Sequence, residues 1–273
     1  MPSIEHASHR LDLNEYLAAQ RELPGWFSDL DALLFACFDE LQRNGSVRGD
    51  LLEIGVYRGK SAALLGYFVR EGERLVVCDL FDSAAPGAAN VVENERFYPD
   101  LSRKSFEDTF LRFHRRLPEV FQCDSTELQG SAGLQRGFRF IHVDGSHLYD
   151  IVRQDIATAQ ALLVEGGLVV FDDFCRPHTP GVAAAVWEAV AARTIRPICI
   201  TDSKMYASCG DVKLPVLASL NRLIAVHTDL HMESHSLYGT DFVRIYRSAL
   251  VAPWAKQVYW RLLSFFRRTR PVV

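Results

Sequence analysis

The order of apolar runs and helix-period segments predicts an α/β fold: a mostly parallel, seven-stranded sheet flanked by helices, with a helical N-terminal segment and an irregular or helical C-terminal extension. Three observations carry this. Residues 51–65, LLEIGVYRGKSAALL, pass from a β-branched and leucine-rich run through a glycine loop into a helical period. Apolar runs then end repeatedly in a carboxylate, at Asp79, Asp144 and Asp172. Between them lie segments with helix spacing, the βα alternation that requires crossover connections and hence parallel strands.

Residues 11–45 read as a helical entry, because Leu30, Leu33, Leu34, Cys37, Phe38 and Leu41 form a stripe at helix spacing that Asn44-Gly45 ends. Strand 50–54, helix 59–70 and strand 75–80 follow, then a polar loop 82–100 containing proline and glycine, and a helix 102–116. Strands 119–123 and 138–144, helix 148–164, strand 167–172, helix 181–193 and strand 195–201 continue the series. Residues 204–208 and 242–246 both read as strands, and the sequence leaves open which closes the sheet. These patterns divide the chain into a helical segment 1–48, a core 49–208 and an extension 209–273.

With 273 residues, of which 48% are hydrophobic, the chain can bury one substantial core with an appendage. A net charge of −4 and the absence of a basic stripe with interleaved aromatics argue against nucleic acid and for small-molecule partners. The N-terminal residues lack an apolar signal core and no window is apolar enough to span a membrane, so a cytoplasmic protein is expected. Six cysteines without a CxxC pair fit reduced thiols, with neither disulfides nor a zinc knuckle.

The chemistry concentrates at the strand ends. Gly55 and Gly59 let the backbone turn sharply and approach a ligand, Glu53 stands where the strand ends, and Asp79 follows Gly55 by 24 residues, the offset at which an acid meets ribose hydroxyls in a nucleotide-binding βαβ unit. An adenosine-containing cofactor is implied. Tyr57 occupies the second glycine position of a GxGxxG loop, which argues against a dinucleotide. Further along, FIHVDGSH ends at Asp144 to His147 and GGLVVFDDF carries Asp172 and Asp173. In an open parallel sheet these three carboxylates project into the same crevice, where mutual repulsion would raise their pKa values unless a hard divalent ion such as Mg²⁺ joined them. The competing reading is that Asp172 and Asp173 only cap the turn or helix near Pro180.

The pattern Glu53-x-Gly55-x-Tyr57-x-Gly59-x-Ser61, with Asp79, the VDGSH segment 143–147 and the GGxxVxDD run, resembles class I S-adenosylmethionine (SAM) methyltransferases with a Rossmann-like core. Within them it is similar to the metal-dependent O-methyltransferases, catechol-like in its cofactor loop and macrocin-like, the group that modifies sugars and antibiotics, over residues 26–208. The resemblance implies cofactor contacts from Glu53, Gly55, Tyr57, Gly59, Ser61 and Asp79, an adenine-side contact near Asp124 and Ser125, and divalent-metal ligation by Asp144, Asp172 and Asp173. His147 stands where catechol-like enzymes carry a general-base lysine; macrocin-type enzymes place an acid two residues after the first metal carboxylate, where this chain has Ser146. The expected activity is methyl transfer to a hydroxyl of a small metabolite, a sugar or catechol-like diol in natural-product or glycan biosynthesis, with SAM and Mg²⁺ as cofactors. The alternatives are a metal-independent N-methyltransferase acting on an amino sugar or amine, and a noncatalytic SAM-binding partner subunit.

Other histidines carry less. His227, His231 and His235 recur at helix spacing, but on a helix the outer pair is about 12 Å apart, too far for one metal, and a polar helix face or loop is the simpler reading. His142 alternates with Ile141 and Val143 and reads as a packed core imidazole, while His178 is a candidate for the acceptor pocket. The run Trp254 to Arg270 combines aromatics with a basic end. Docking on this chain or on a second copy, as a homo-oligomer, is the simpler expectation than a membrane surface.

Overall fold

The structure, a computed structural model, describes residues 13–131, 134–135 and 137–248. The aromatic and basic run 254–270 lies outside the described residues. Two helices open the fold, α1 (Leu13–Ala19) and α2 (Asp29–Asn44), and the core follows as β1 (Asp50–Ile54), α3 (Lys60–Phe68), β2 (Leu75–Asp79), α4 (Ala88–Phe97), α5 (Arg103–Leu111) and β3 (Glu119–Gln122). After these come β4 (Phe138–Val143), α6 (Tyr149–Leu162), β5 (Leu163–Phe171), α7 (Pro180–Ala191), β6 (Arg196–Ile200), β7 (Met205–Ser208), α8 (Val216–Val226), β8 (Leu230–Leu237) and β9 (Thr240–Arg247).

One sheet runs through the whole molecule in the order β3-β2-β1-β4-β5-β7-β6-β9-β8. The first five strands are parallel, β7 is antiparallel to both β5 and β6, β9 runs parallel to β6, and β8 is antiparallel to β9. The chain leaves β1 toward β2 on one side and returns through β4 on the other, so the crevice beyond Ile54 and Val143 is the topological switch point where open sheets bind ligands. Alternation along β1 sorts the core. Leu51 faces the layer built with Phe35, Phe38, Leu64 and Phe106, whereas Leu52 and Ile54 face the layer built with Ile141, Val169 and Val186.

The sheet therefore has nine strands rather than the expected seven. Both open candidates are strands: 204–208 is β7, between β5 and β6, and 242–246 lies in β9. Of the C-terminal extension, the described residues 209–248 form a helix and a hairpin that continues the sheet. The hairpin's outer strand escapes a sequence reading because only Leu230 in LHMESHSL is buried, so no alternating apolar pattern marks it. His231 and His235 lie on this strand, not on a helix or loop. The helical entry 11–45 breaks at Pro24-Gly25, Gly25 taking φ +114°, and α2 restarts where the Ser28 hydroxyl accepts the Asp31 amide at 3.0 Å. Inside the expected polar loop 82–100 lies α4, whose Asn90 and Glu93 are buried. Among the described residues no helix is long and apolar enough to cross a membrane.

Candidate active site

Two adjoining clefts open at the carboxyl ends of β1, β2, β4 and β5. The first is lined by Gly55, Tyr57, Asp79, Asp124, Ser125 and Asp144, with Asn90, Glu93 and Asn94 of α4 as its outer wall. The second, of about 480 Å³, is lined by Trp26, Tyr57, Asp144, His147, Asp172, Asp173 and Lys204 among others. Gly55, Tyr57 and Asp144 are shared by both.

Backbone geometry builds the first cleft. Gly55 has φ +82°, and a Cβ there would lie 2.0 Å from the Asp144 carbonyl oxygen, because the Asp144 amide donates to the Ile54 carbonyl at 2.7 Å and brings the two strand ends together. Opposite, Asp79 Oδ2 accepts the amides of Val56 (2.6 Å) and Tyr57 (2.8 Å), and Oδ1 accepts that of Phe81 (3.0 Å). Burial raises the Asp79 pKa while these amides oppose the rise. Asp124 Oδ1 accepts the Thr126 amide at 2.9 Å in a capping box with Glu127, which sets Ser125 at the rim.

Not every expected cofactor residue enters this cleft. Glu53 is fully buried beneath it, because strand alternation turns it to the α2 side, where Oε1 meets His142 Nδ1 at 2.7 Å. Gly59 lines neither cleft; at φ +80° it starts α3 against the Phe106 ring, which a Cβ would approach to 2.7 Å. Ser61 lines the second cleft rather than the first.

Charged side chains build the second cleft. His142 Nε2, Asp144 and Asp172 offer ligand atoms within 4.8 Å of one another, and Asp173 stands outside this group. A left-handed backbone at Asp173, φ 54°, separates the neighbouring carboxylates. Asp172 contacts the ammonium of Lys204, and Asp173 Oδ2 contacts His147 Nε2 at 2.8 Å. Lys204 is 1% exposed, and its Nζ also lies 3.1 Å from His142 Nε2. An ammonium can only donate, so His142 Nε2 is the acceptor and its Nδ1–H donates to Glu53. Burial and the Lys204 charge hold the His142 pKa well below its usual value, and burial raises Glu53 to about 8. Burial and the neighbouring Asp172 raise Asp144, and burial raises Asp172 against the pull of Lys204.

His147 sits between two carboxylates. Glu93 Oε1 accepts both its backbone amide and Nδ1 at 2.9 Å, while Glu93 Oε2 accepts the Ser146 hydroxyl at 2.8 Å. Burial disfavours the imidazolium, but Asp173 and Glu93 outweigh it and bring the His147 pKa up to about 9. Beside it Trp26 stacks on Tyr57, ring centres 5.5 Å apart, with Tyr98 edge-on to both and His178 on the same wall beside Phe97.

Three contributors were not read from the sequence. Glu93 follows from the face Asn90, Glu93, Asn94 and Phe97, spaced i, i+3, i+4 and i+7, which was legible as a helix. Lys204 had a weaker signal, a lone charge heading an apolar run, MYAS. Asp31 had none: it looks like an ordinary first-turn acid, yet it accepts from Thr201, Ser203 and Tyr206 across the core.

The crevice at the switch point, the glycine turn and the strand-end carboxylates agree with the comparisons. Residues 52–174 match the family model described as a methyltransferase domain. Residues 52–174 are thus similar to a methyltransferase domain, on a Rossmann-like α/β fold. Among solved structures it is similar to the O-methyltransferase NovP, at 21% identity and TM-score 0.51, covering 66% of this chain and 80% of that one. It is also similar to a Corynebacterium glutamicum protein, at 12% identity and TM-score 0.50, covering 72% and 90%. Both likenesses speak to the fold. No curated protein matches the chain.

Proposed function

We propose that the protein transfers the methyl group of SAM to a hydroxyl of a small metabolite, a sugar or catechol-like diol, with a divalent cation and His147 assisting. One observation carries this reading: Asp144 lines both clefts, and among the described residues nothing donates a hydrogen bond to its carboxylate. Asp144 is only partly buried, but its carboxylate lies beside that of Asp172, and two carboxylates so close call for a cation. Asp144 and Asp172 supply hard oxygen donors suited to Mg²⁺, and Asp173 can join them by releasing His147. The residues of the first cleft suit SAM, Gly55 by admitting a ligand close to backbone and Asp79 by facing the ribose.

When bound, SAM would supply an electrophilic sulfonium methyl, and a divalent ion held by Asp144 and Asp172 would supply positive charge to favour the deprotonated acceptor oxygen. The chain orients the partners. Tyr57 lies between donor and acceptor clefts, and Trp26 and Tyr98 provide flat apolar faces against which a ring can lie. His147 takes the acceptor proton at Nε2 once Asp173 has left it, while Glu93 holds Nδ1 and fixes the ring. The test is methyl transfer from labelled SAM to a panel of vicinal diols, before and after exhaustive chelation. Activity that is lost with EDTA and restored by Mg²⁺ is expected; full activity after chelation would point instead to metal-independent transfer to an amine.

A further inference from the structure

We propose that Lys204 is a resident cation that sets how tightly the carboxylate cluster takes a divalent ion, competing with the ion for Asp172 so that removing its charge tightens metal binding. This rests on the reading of a divalent-cation site given above and concerns a residue that reading does not need.

The lysine is held where it is. Its amide donates to Thr201 Oγ1 at 3.0 Å and its carbonyl accepts from the Thr201 amide at 2.9 Å. Asp31 in turn anchors this turn through the Thr201 and Ser203 hydroxyls, both at 3.1 Å, and through Tyr206 in the following strand at 2.8 Å. The side chain passes over the Phe27 ring, Nζ 5.3 Å from its centre, and ends between Asp172 and His142. At 1% exposure it has no open solvent into which to withdraw.

Two consequences follow for a cation arriving at Asp144 and Asp172. His142 cannot serve as a nitrogen ligand while Nε2 accepts from Lys204 and Nδ1 is engaged by Glu53. Asp172 must be shared with an ammonium, and in a poorly solvated cleft the repulsion between that ammonium and a doubly charged ion is weakly screened. Asp144, Asp172, Asp173 and Asp31 all face this region and bring it excess negative charge, so the ion remains attracted, with an affinity that Lys204 holds down. If Lys204 were only a structural partner for Asp172, its loss would instead disorder that carboxylate and weaken metal binding.

The experiment is a titration of the full chain with Mn²⁺, followed by electron paramagnetic resonance, in the presence of S-adenosylhomocysteine. Wild type is compared with Lys204→Gln, Lys204→Met and Lys204→Arg. The Gln and Met variants are expected to bind Mn²⁺ at least about tenfold more tightly than wild type, or about 1.4 kcal/mol, with Arg unchanged from wild type. Retained S-adenosylhomocysteine affinity reports an intact pocket. Equal or weaker Mn²⁺ binding in the Gln variant overturns the proposal alone and leaves the metal site standing; absence of Mn²⁺ binding in every protein overturns both. Loss of the S-adenosylhomocysteine site in both charge-free variants also overturns it, since the lysine would then be holding the fold.

Discussion

At the end of β2 a single carboxylate, Asp79, is met by three backbone amides, whereas of the three carboxylates at the ends of β4 and β5 two, Asp172 and Asp173, are met by side-chain cations, Lys204 and His147. The first arrangement is local. Its donors lie in the glycine loop and the turn after β2, and their positions are fixed by φ angles rather than by charge. The second is assembled from afar: Lys204 comes from the turn before β7, Glu93 from α4, and Asp31 braces the lysine from α2. Backbone dipoles make a site that holds one shape, while a cluster of ionisable side chains makes one whose charge can be changed by a proton or a cation.

That contrast can be broken most severely at Asp144. Asp144→Asn should lower turnover by roughly 10²–10³, the several kcal/mol that a metal-held oxygen is worth, and leave SAM affinity by calorimetry nearly unchanged. A parallel loss of SAM binding would mean that the two halves are not separable. Next in size, His147→Ala should depress turnover by about 10², the lower end of what a general base contributes, with SAM affinity retained. Its imidazole acts as a base only when neutral, and its pKa stands at about 9 in the carboxylate clasp. The rate with Mg²⁺ bound should therefore rise with pH to a midpoint below that value, and the His147 resonance in NMR should titrate near it without metal and at lower pH once Mg²⁺ draws Asp173 away. A resonance that titrates at the ordinary imidazole value in both states would sink the clasp as described.

A smaller effect is expected on the backbone side. Asp79→Ala should weaken SAM by about 1.5–3 kcal/mol, the range for a charge-assisted hydrogen bond, and leave the rate at saturating SAM little altered; unchanged affinity would remove Asp79 from the ribose role. The least effect concerns stability under Glu53, which ionises near 4.5 when exposed and near 8 in the fold. Its folded pKa is the higher one, so between those values unfolding releases a proton and stability falls as pH rises. Glu53→Gln removes that slope. Its melting temperature should gain on wild type from pH 5 to pH 8, and a constant difference across the window would show that Glu53 is ionised in the fold.

How much of this was legible follows the same division. The glycine loop, Asp79 and the acids ending β4 and β5 could be read because each is specified within its own strand and turn. Glu53 could be located but not assigned a face, since its register depends on which layer covers β1. Lys204, Glu93 and Asp31 could not be joined to the site, because their roles come from pairings 32 or more residues away that no local pattern encodes; Asp31 to Tyr206 alone spans 175 positions. Strand β8 was missed for a different reason: a strand buried at one residue carries no periodic signal.

The left-handed residue at Asp173 makes the adjacent acids non-interchangeable in a way their spelling conceals. Aspartate and asparagine adopt that conformation at little cost, whereas a β-branched residue does not. Natural drift at position 173 is thereby confined to a very small alphabet even if the charge were dispensable, while position 172, outside the left-handed region, is constrained by its carboxylate, which meets Lys204 and the Asp173 amide. For anyone redesigning the acceptor cleft, the pair is best treated as two independent handles, one steric and one electrostatic, and a library that randomises both together would spend most of its members on chains that misdirect the loop.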